Sequence, residues 1–159
     1  MKKFGVGFLP FQHAAKTLLA RANDGARELT SKTDQLIVSK ARLDASLLLP
    51  CQALFAFAAE LGLKAAVESL TEKRPHGHNL KELFKMLPDD TASSFKTRFN
   101  DADFDQKLEK HSLNFQESRY FFEPREDGSN FEFDPPFMEK FVDTLLQEFA
   151  VEIQNSANG

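Results

Sequence analysis

The sequence predicts an all-α fold: an up-and-down bundle of four to five helices with one small β-hairpin near the C-terminus. Three observations carry this. Helix-favouring residues fill nearly everything up to position 120, and apolar residues recur there at three- and four-residue spacing. After Arg119 the pattern changes: "RYFFEPREDGSNFEF" sets Asp127-Gly128 between alternating Phe-rich segments, a hairpin signal.

A first helix is expected over residues 11–29, with Phe11, Ala15, Leu18, Leu19 and Ala22 on one face. A second should run from about Asp34 to Leu70. Its middle, "LLLPCQALFAFAAELGLKAAVESL", is apolar nearly all round and marks the centre of a bundle, with Pro50 kinking it or opening a new segment. Asn79 and Glu82 have capping-box spacing ahead of a short helix with the stripe Leu80, Leu83, Phe84 and Leu87, closed by Pro88. Asp90 or Thr91 starts the next helix, carrying Phe95 and Phe99 one turn apart. From Phe104, a stripe of Leu108, His111, Phe115 and Phe122 fits one helix. A competing reading breaks it at "HSLN" and recaps at Asn114 with Glu117. Asp134 should cap a last helix with Pro135 at its first position and Phe137, Phe141, Leu145 and Phe149 buried.

The chain of 159 residues reads as a single domain over residues 1–159, with the last few residues a disordered tail. Seventeen Phe against one Tyr and no Trp place most rings in the core, because Phe has no polar handle. A single cysteine, Cys51, excludes an internal disulfide framework and a multi-cysteine zinc site; within its apolar run it reads as a small buried hydrophobe. The N-terminal apolar stretch, Phe4 to Phe11, is broken by two glycines and a proline, and the run Leu47 to Ala59 is too short to span a bilayer. A cytoplasmic protein without membrane association is therefore expected.

Charge is unevenly spread. Residues 1–42 carry eight Lys/Arg against three acids, residues 43–100 seven of each, and residues 101–152 five against fourteen. A chain of net charge −4 is a poor candidate for broad nucleic-acid coating. A local basic face from Lys16, Arg21, Arg27, Lys32, Lys40 and Arg42 is one reading. Packing of that segment beside the acidic C-terminal helix, within the chain or across a dimer, is the other.

Most chemistries lack a motif. His76 and His78 lie two apart on a loop with no cysteine or third loop histidine, short of the ligands zinc needs, so no metal and no cofactor are expected. There is no G-x-S-x-G elbow and no phosphate-cradling glycine loop. What stands out is a polar set inside an apolar bundle: Glu60, Lys64, His78 and Arg119, with Tyr120 beside the arginine. Glu60 and Lys64 share a helix face at i,i+4. Buried charges need partners, so the set is a ligand-binding cleft or a satisfied network that fixes helix register.

At these residues the chain resembles the HEPN-like superfamily, over roughly residues 45 to 135. The resemblance rests on "LPCQALFAFAAELGLKA", on "GHNLKELF" and on "SRYFFEPREDGSN", in that order. It implies a helical bundle, frequent homodimerisation and a prokaryotic toxin–antitoxin or defence context. In catalytic members it implies metal-independent RNA cleavage by an Arg followed four to six residues later by His. The chain departs from that pattern. None of His13, His76, His78 and His111 has that spacing after an arginine, and Arg74 to His78 leaves only three residues between. No catalytic residue of the motif carries over.

Three readings follow. The first is a HEPN-like domain, a homodimer, binding a nucleotide, RNA or a cognate protein through the polar cleft. The second is a ribonuclease with a rearranged pair, Arg119 stabilising charge and His78 moving the proton. The third is an interaction subunit using helix faces, with Leu113 and Tyr120 as contacts.

Overall fold

A computed structural model describes residues 4–31, 47–113, 116 and 134–158. Six helices are present among them: α1 (Phe4–Ser31), α2 (Leu48–Thr71), α3 (Leu80–Lys85), α4 (Asp89–Phe99), α5 (Phe104–Lys110) and α6 (Pro135–Asn158). There is no strand among the described residues, so the expected four-to-five-helix bundle with a hairpin is corrected to an all-helical structure. The segment expected to form the hairpin, residues 119–133, lies outside the described residues. The signals there were local ones, a turn dipeptide and alternation, and a two-stranded hairpin is marginal unless a further face covers it.

The first helix starts earlier than expected. Pro10 lies inside α1, where it removes only one backbone hydrogen bond, and the two glycines before it do not stop the helix. Leu47 and Pro50 set the start of α2. The first backbone bond there is Cys51 N–H to Leu47 O at 3.0 Å, so Pro50 sits in the first turn, where its missing N–H leaves no gap. Of the two roles expected for Pro50, it opens a segment. Residues 32–46, assigned by sequence to the same long helix, lie outside the described residues.

Caps mark the shorter elements. Asn79 accepts the Glu82 N–H at 3.0 Å, the first half of the expected capping box, while the Glu82 carboxylate accepts from Lys85 instead of turning back. Asp134 accepts the Phe137 N–H at 3.0 Å, as expected for the last helix. The break at "HSLN" is the one the chain takes. α5 ends at Lys110, so the single stripe from Phe104 to Phe122 is corrected; Asn114, Phe115 and Phe122 lie outside the described residues. Asn100 closes α4 in the left-handed region, which its side chain tolerates.

Two kinds of packing build the core. α1, α2 and α6 come together through small residues and reciprocal notches. A Cβ on Gly62 would lie 2.7 Å from the Phe8 ring and 3.3 Å from a Leu145 methyl, and one on Gly7 would lie 2.6 Å from a Leu61 methyl. Each helix thus seats a large side chain over the other's glycine. The Phe11 and Phe57 rings meet edge-on at 4.5 Å one turn further along. Gln12 and Lys16 of α1 both donate to Asp143 of α6, at 2.7 Å each.

The other side of α6 is aromatic. Phe84 of α3, Phe95 and Phe99 of α4, Phe104 of α5 and Phe141 of α6 form one cluster. Its ring centroids lie 5.2 Å apart for Phe84–Phe95, 4.9 Å for Phe99–Phe104 and 5.3 Å for Phe95–Phe141. Mostly tilted and edge-on geometry suits the ring quadrupoles. The cationic ends of Lys140 and Lys96 lie over the Phe99 and Phe104 rings. Exposed ion pairs add little beside this burial.

Two outcomes are expected in urea unfolding. Gly62→Ala lowers stability by about 1–3 kcal/mol, because a core ring must move, whereas Gly7→Ala costs less, since it meets only the mobile end of Leu61. Phe95→Ala costs about 3–5 kcal/mol through the cavity it leaves. Asp101 is held below the ordinary carboxylate range by the Lys107 ammonium and the Asp103 N–H. Its contribution is therefore present above the unfolded carboxylate range and disappears as pH falls through its folded value. Asp101→Asn should lower the Tm at pH 7, and the difference should shrink as the pH falls below the ordinary carboxylate range.

Candidate functional site

α2 is screened from solvent over most of its length because α1 and α6 cover it, and its Ala-rich surface lets them approach closely. Within that screen sit two charged side chains, Glu60 (2 % exposed) and Lys64 (7 %). Helical spacing puts them one turn apart, and Lys64 Nζ donates to Glu60 Oε1 at 2.7 Å.

The same oxygen receives a second partner from the loop between α2 and α3. The chain leaves α2 through Glu72 in the left-handed region, passes the buried Pro75, and turns at Gly77 (φ +83°), where a Cβ would meet nothing within 4 Å. Asn79 then caps α3, and the Leu80 N–H donates to Ser112 O at 2.9 Å, fastening this end of the loop to the turn after α5. The loop so held brings His78 Nδ1 to 2.9 Å from Glu60 Oε1, although the two lie 18 residues apart in sequence. An ionised carboxylate only accepts, so in this contact Nδ1 carries the proton and Nε2 is the ring nitrogen that this contact leaves unused. The His78 side chain is half exposed, and Glu60 and Lys64 are not.

The expected set is thus brought together in three of its members, Glu60, Lys64 and His78. Arg119 and Tyr120 lie outside the described residues. His76 is exposed on the same loop and takes no part in the cluster. No group of three or more His, Cys, Asp or Glu side chains able to hold a metal occurs among the described residues.

The second Glu60 oxygen, Oε2, is buried with no hydrogen-bond partner. Gln52, two turns earlier on α2, is fully buried with both amide atoms unpartnered. Sequence reasoning passed over Gln52, whose signal was a lone amide in the apolar run "LLLPCQALF". It also passed over Lys73 and Arg74. Both are exposed at the start of the His78 loop, and neither side chain makes an ion pair with a described residue. The basic face read from residues 16–42 is partly spent, since Lys16 is bound to Asp143. Two open clefts lie elsewhere. One of about 310 Å³ is lined by the acids Asp90, Glu148 and Glu152 with Leu70 and Phe149, and one of about 280 Å³ by Phe84, Leu87 and Leu108 under a charged rim.

Cys51 is buried, as expected, and its thiol is pushed up to about 12 by burial and by the nearby Glu139 carboxylate. No helix among the described residues is long and apolar enough to cross a membrane. No family model matches the chain, and no curated protein or solved structure matches it significantly.

The buried pair generates a specific expectation. Lys64→Met leaves the Glu60 charge with His78 as its one described partner and should cost about 3–5 kcal/mol, whereas the double variant Glu60→Leu/Lys64→Met should regain most of that loss; chemical denaturation of both reads it. Cys51 should resist iodoacetamide at pH 8 in the native protein and react once the protein is unfolded, followed by mass spectrometry.

Proposed function

We propose that the chain is a HEPN-like helical domain that binds RNA, with the loop Lys73–His78 engaging the phosphates and the Glu60–Lys64–His78 cluster forming the floor beneath it. The observation that carries this reading is the placement of two exposed cations without an acidic partner among the described residues, Lys73 and Arg74, on the loop that delivers His78 to the buried carboxylate. The described lysines Lys81, Lys85, Lys96 and Lys107 face acidic partners, and Lys110 and Lys140 are single exposed lysines on other elements, so this loop is where two adjacent cations without a described acidic partner stand together. Arg74 can fork across phosphate oxygens, and Lys73 acts as a point charge. The cations also follow the negative C-terminal end of α2, which favours them locally. An interaction subunit working through apolar faces has less support: the large apolar side chains exposed among the described residues are Leu9, Leu70, Leu113 and Val151, spread over separate elements. Homodimerisation and a prokaryotic defence or stress context belong to the same proposal and rest on the family resemblance.

One observation favours a second reading, metal-independent RNA cleavage. A buried carboxylate holds the ring of the half-exposed His78 by Nδ1 and leaves Nε2 out of that contact, an arrangement suited to moving a proton. Arg119 would be the charge-stabilising partner.

Fluorescence anisotropy with a labelled single-stranded RNA across a salt series tests the binding reading. The affinity should fall with salt, and Lys73→Ala/Arg74→Ala should weaken binding while reducing the log–log slope by about 1.4, the value for two lost single-strand phosphate contacts. An unchanged slope in the double variant, or no binding by the native protein, would sink it. Incubation of a labelled RNA pool in EDTA separates the second reading: cleavage by the native protein that is lost in both His78→Ala and Arg119→Ala makes the chain a ribonuclease, and intact RNA throughout leaves binding alone.

A further inference from the structure

The unpartnered Glu60 Oε2 is a cost that the fold does not offset. Leaving a buried acceptor without a donor costs about 1–3 kcal/mol, and more when it is charged. Lys64 and His78 could each have been shared between the two carboxylate oxygens, yet both donate to Oε1. The second oxygen is therefore an acceptor held without a donor, on a carboxylate whose other oxygen is bound by the loop that carries Lys73 and Arg74.

A ligand reaching it must present an N–H or O–H donor, and the half-exposed partner of the carboxylate, His78, marks the loop as the accessible side. Of the two described partners of Glu60, Lys64 is buried and His78 is half exposed, so His78 is the cover that can swing away. The acceptor is single, because Oε1 is taken. That suits one amino group better than the paired ring and amino N–H groups of guanine, which call for both carboxylate oxygens.

We propose that Glu60 Oε2 accepts a hydrogen bond from the exocyclic amino group of an unstacked nucleobase, N4 of cytosine or N6 of adenine, in RNA whose phosphates lie on Lys73 and Arg74. The proposal rests on the RNA-binding reading and adds a base preference to it. Carboxylate side chains accept from cytosine N4 in base recognition generally, and protein reading of RNA sequence acts mostly on splayed single-stranded bases. The rejected bases follow from the same chemistry. Uracil and hypoxanthine put a carbonyl oxygen where cytosine and adenine have the amino group, so an acceptor would face an acceptor.

The test is competition binding of four single-stranded RNA octamers, oligo(C), oligo(U), oligo(A) and oligo(I), to the full chain at one fixed salt concentration. Oligo(C) should bind roughly tenfold tighter than oligo(U), and oligo(A) than oligo(I), a step within the range of a good side-chain–base contact. Both ratios should collapse in Glu60→Gln, because the amide can donate to the carbonyl as readily as accept from the amino group. If Glu60→Gln does not fold by circular dichroism, the double variant Glu60→Leu/Lys64→Met replaces it, removing the acceptor without leaving a buried charge unpaired. Both ratios should collapse there too, and a preference that survives in it overturns the base inference. Equal binding of all four octamers, or a preference unchanged in Glu60→Gln, overturns the base inference and leaves phosphate binding standing. No binding of any octamer overturns both.

Discussion

A charge can sit inside a helix that other helices surround only where a partner reaches it, and α2 is built around that constraint. Its neighbours α1 and α6 approach closely because its surface is mostly alanine, with a glycine where the Phe8 ring presses in. The same closeness removes water from Glu60 and Lys64. Once dry, the two must pair along the helix, and the carboxylate must draw a further donor from whatever loop passes over it. The loop from Glu72 to Asn79 is shaped to supply that donor: it leaves α2 left-handed, turns at Gly77, and is fastened at its far end by the Asn79 cap and the Leu80–Ser112 backbone bond.

The two halves of the core solve different problems. Around α1, α2 and α6 the side chains are small and the fit depends on single notches, so the helices hold a fixed register and the polar pair stays in place. Around α3, α4 and α5 the helices are short, 6, 11 and 7 residues, and none could stand alone. Phenylalanine supplies what they lack: one ring buries as much apolar surface as several alanines, so a single Phe or two per short helix ties each to α6. The short helices in turn fix the level at which α3 begins, and so the height of His78 over Glu60.

The distribution of charge across the surface follows from this plan. Five described acids of residues 101–152 are used in ion pairs. Asp101, Asp105, Glu109, Asp143 and Glu148 each take a lysine or arginine from a neighbouring element. Among the described residues, that pairing leaves Lys73 and Arg74 side by side on the loop before His78 without an acidic partner.

Much of this was legible in the sequence. Periodicity marked a stretch of every described helix but missed the start of α1 and of α2 and, on the stripe reading, the end of α5: 3.6-residue spacing is imposed by local geometry, and the Asn79 and Asp134 caps are contacts made within three residues. The pairing of Glu60 with Lys64 was legible for the same reason, being one turn of one helix. Local signals misled where they had no partner to act on. The Gly-Pro residues before Phe11 do not stop α1, since its neighbours accept the notch, and the expected turn at Asp127-Gly128 has no strand beside it among the described residues. What only the tertiary structure decided is everything set by distance between segments far apart in the chain: that His78 closes on Glu60 and not on another acid, that both donors choose one carboxylate oxygen, that Gln52 is sealed in without a partner, and that Lys73 and Arg74 meet no described acid. Sequence states which groups are charged, and packing alone states which of them meet.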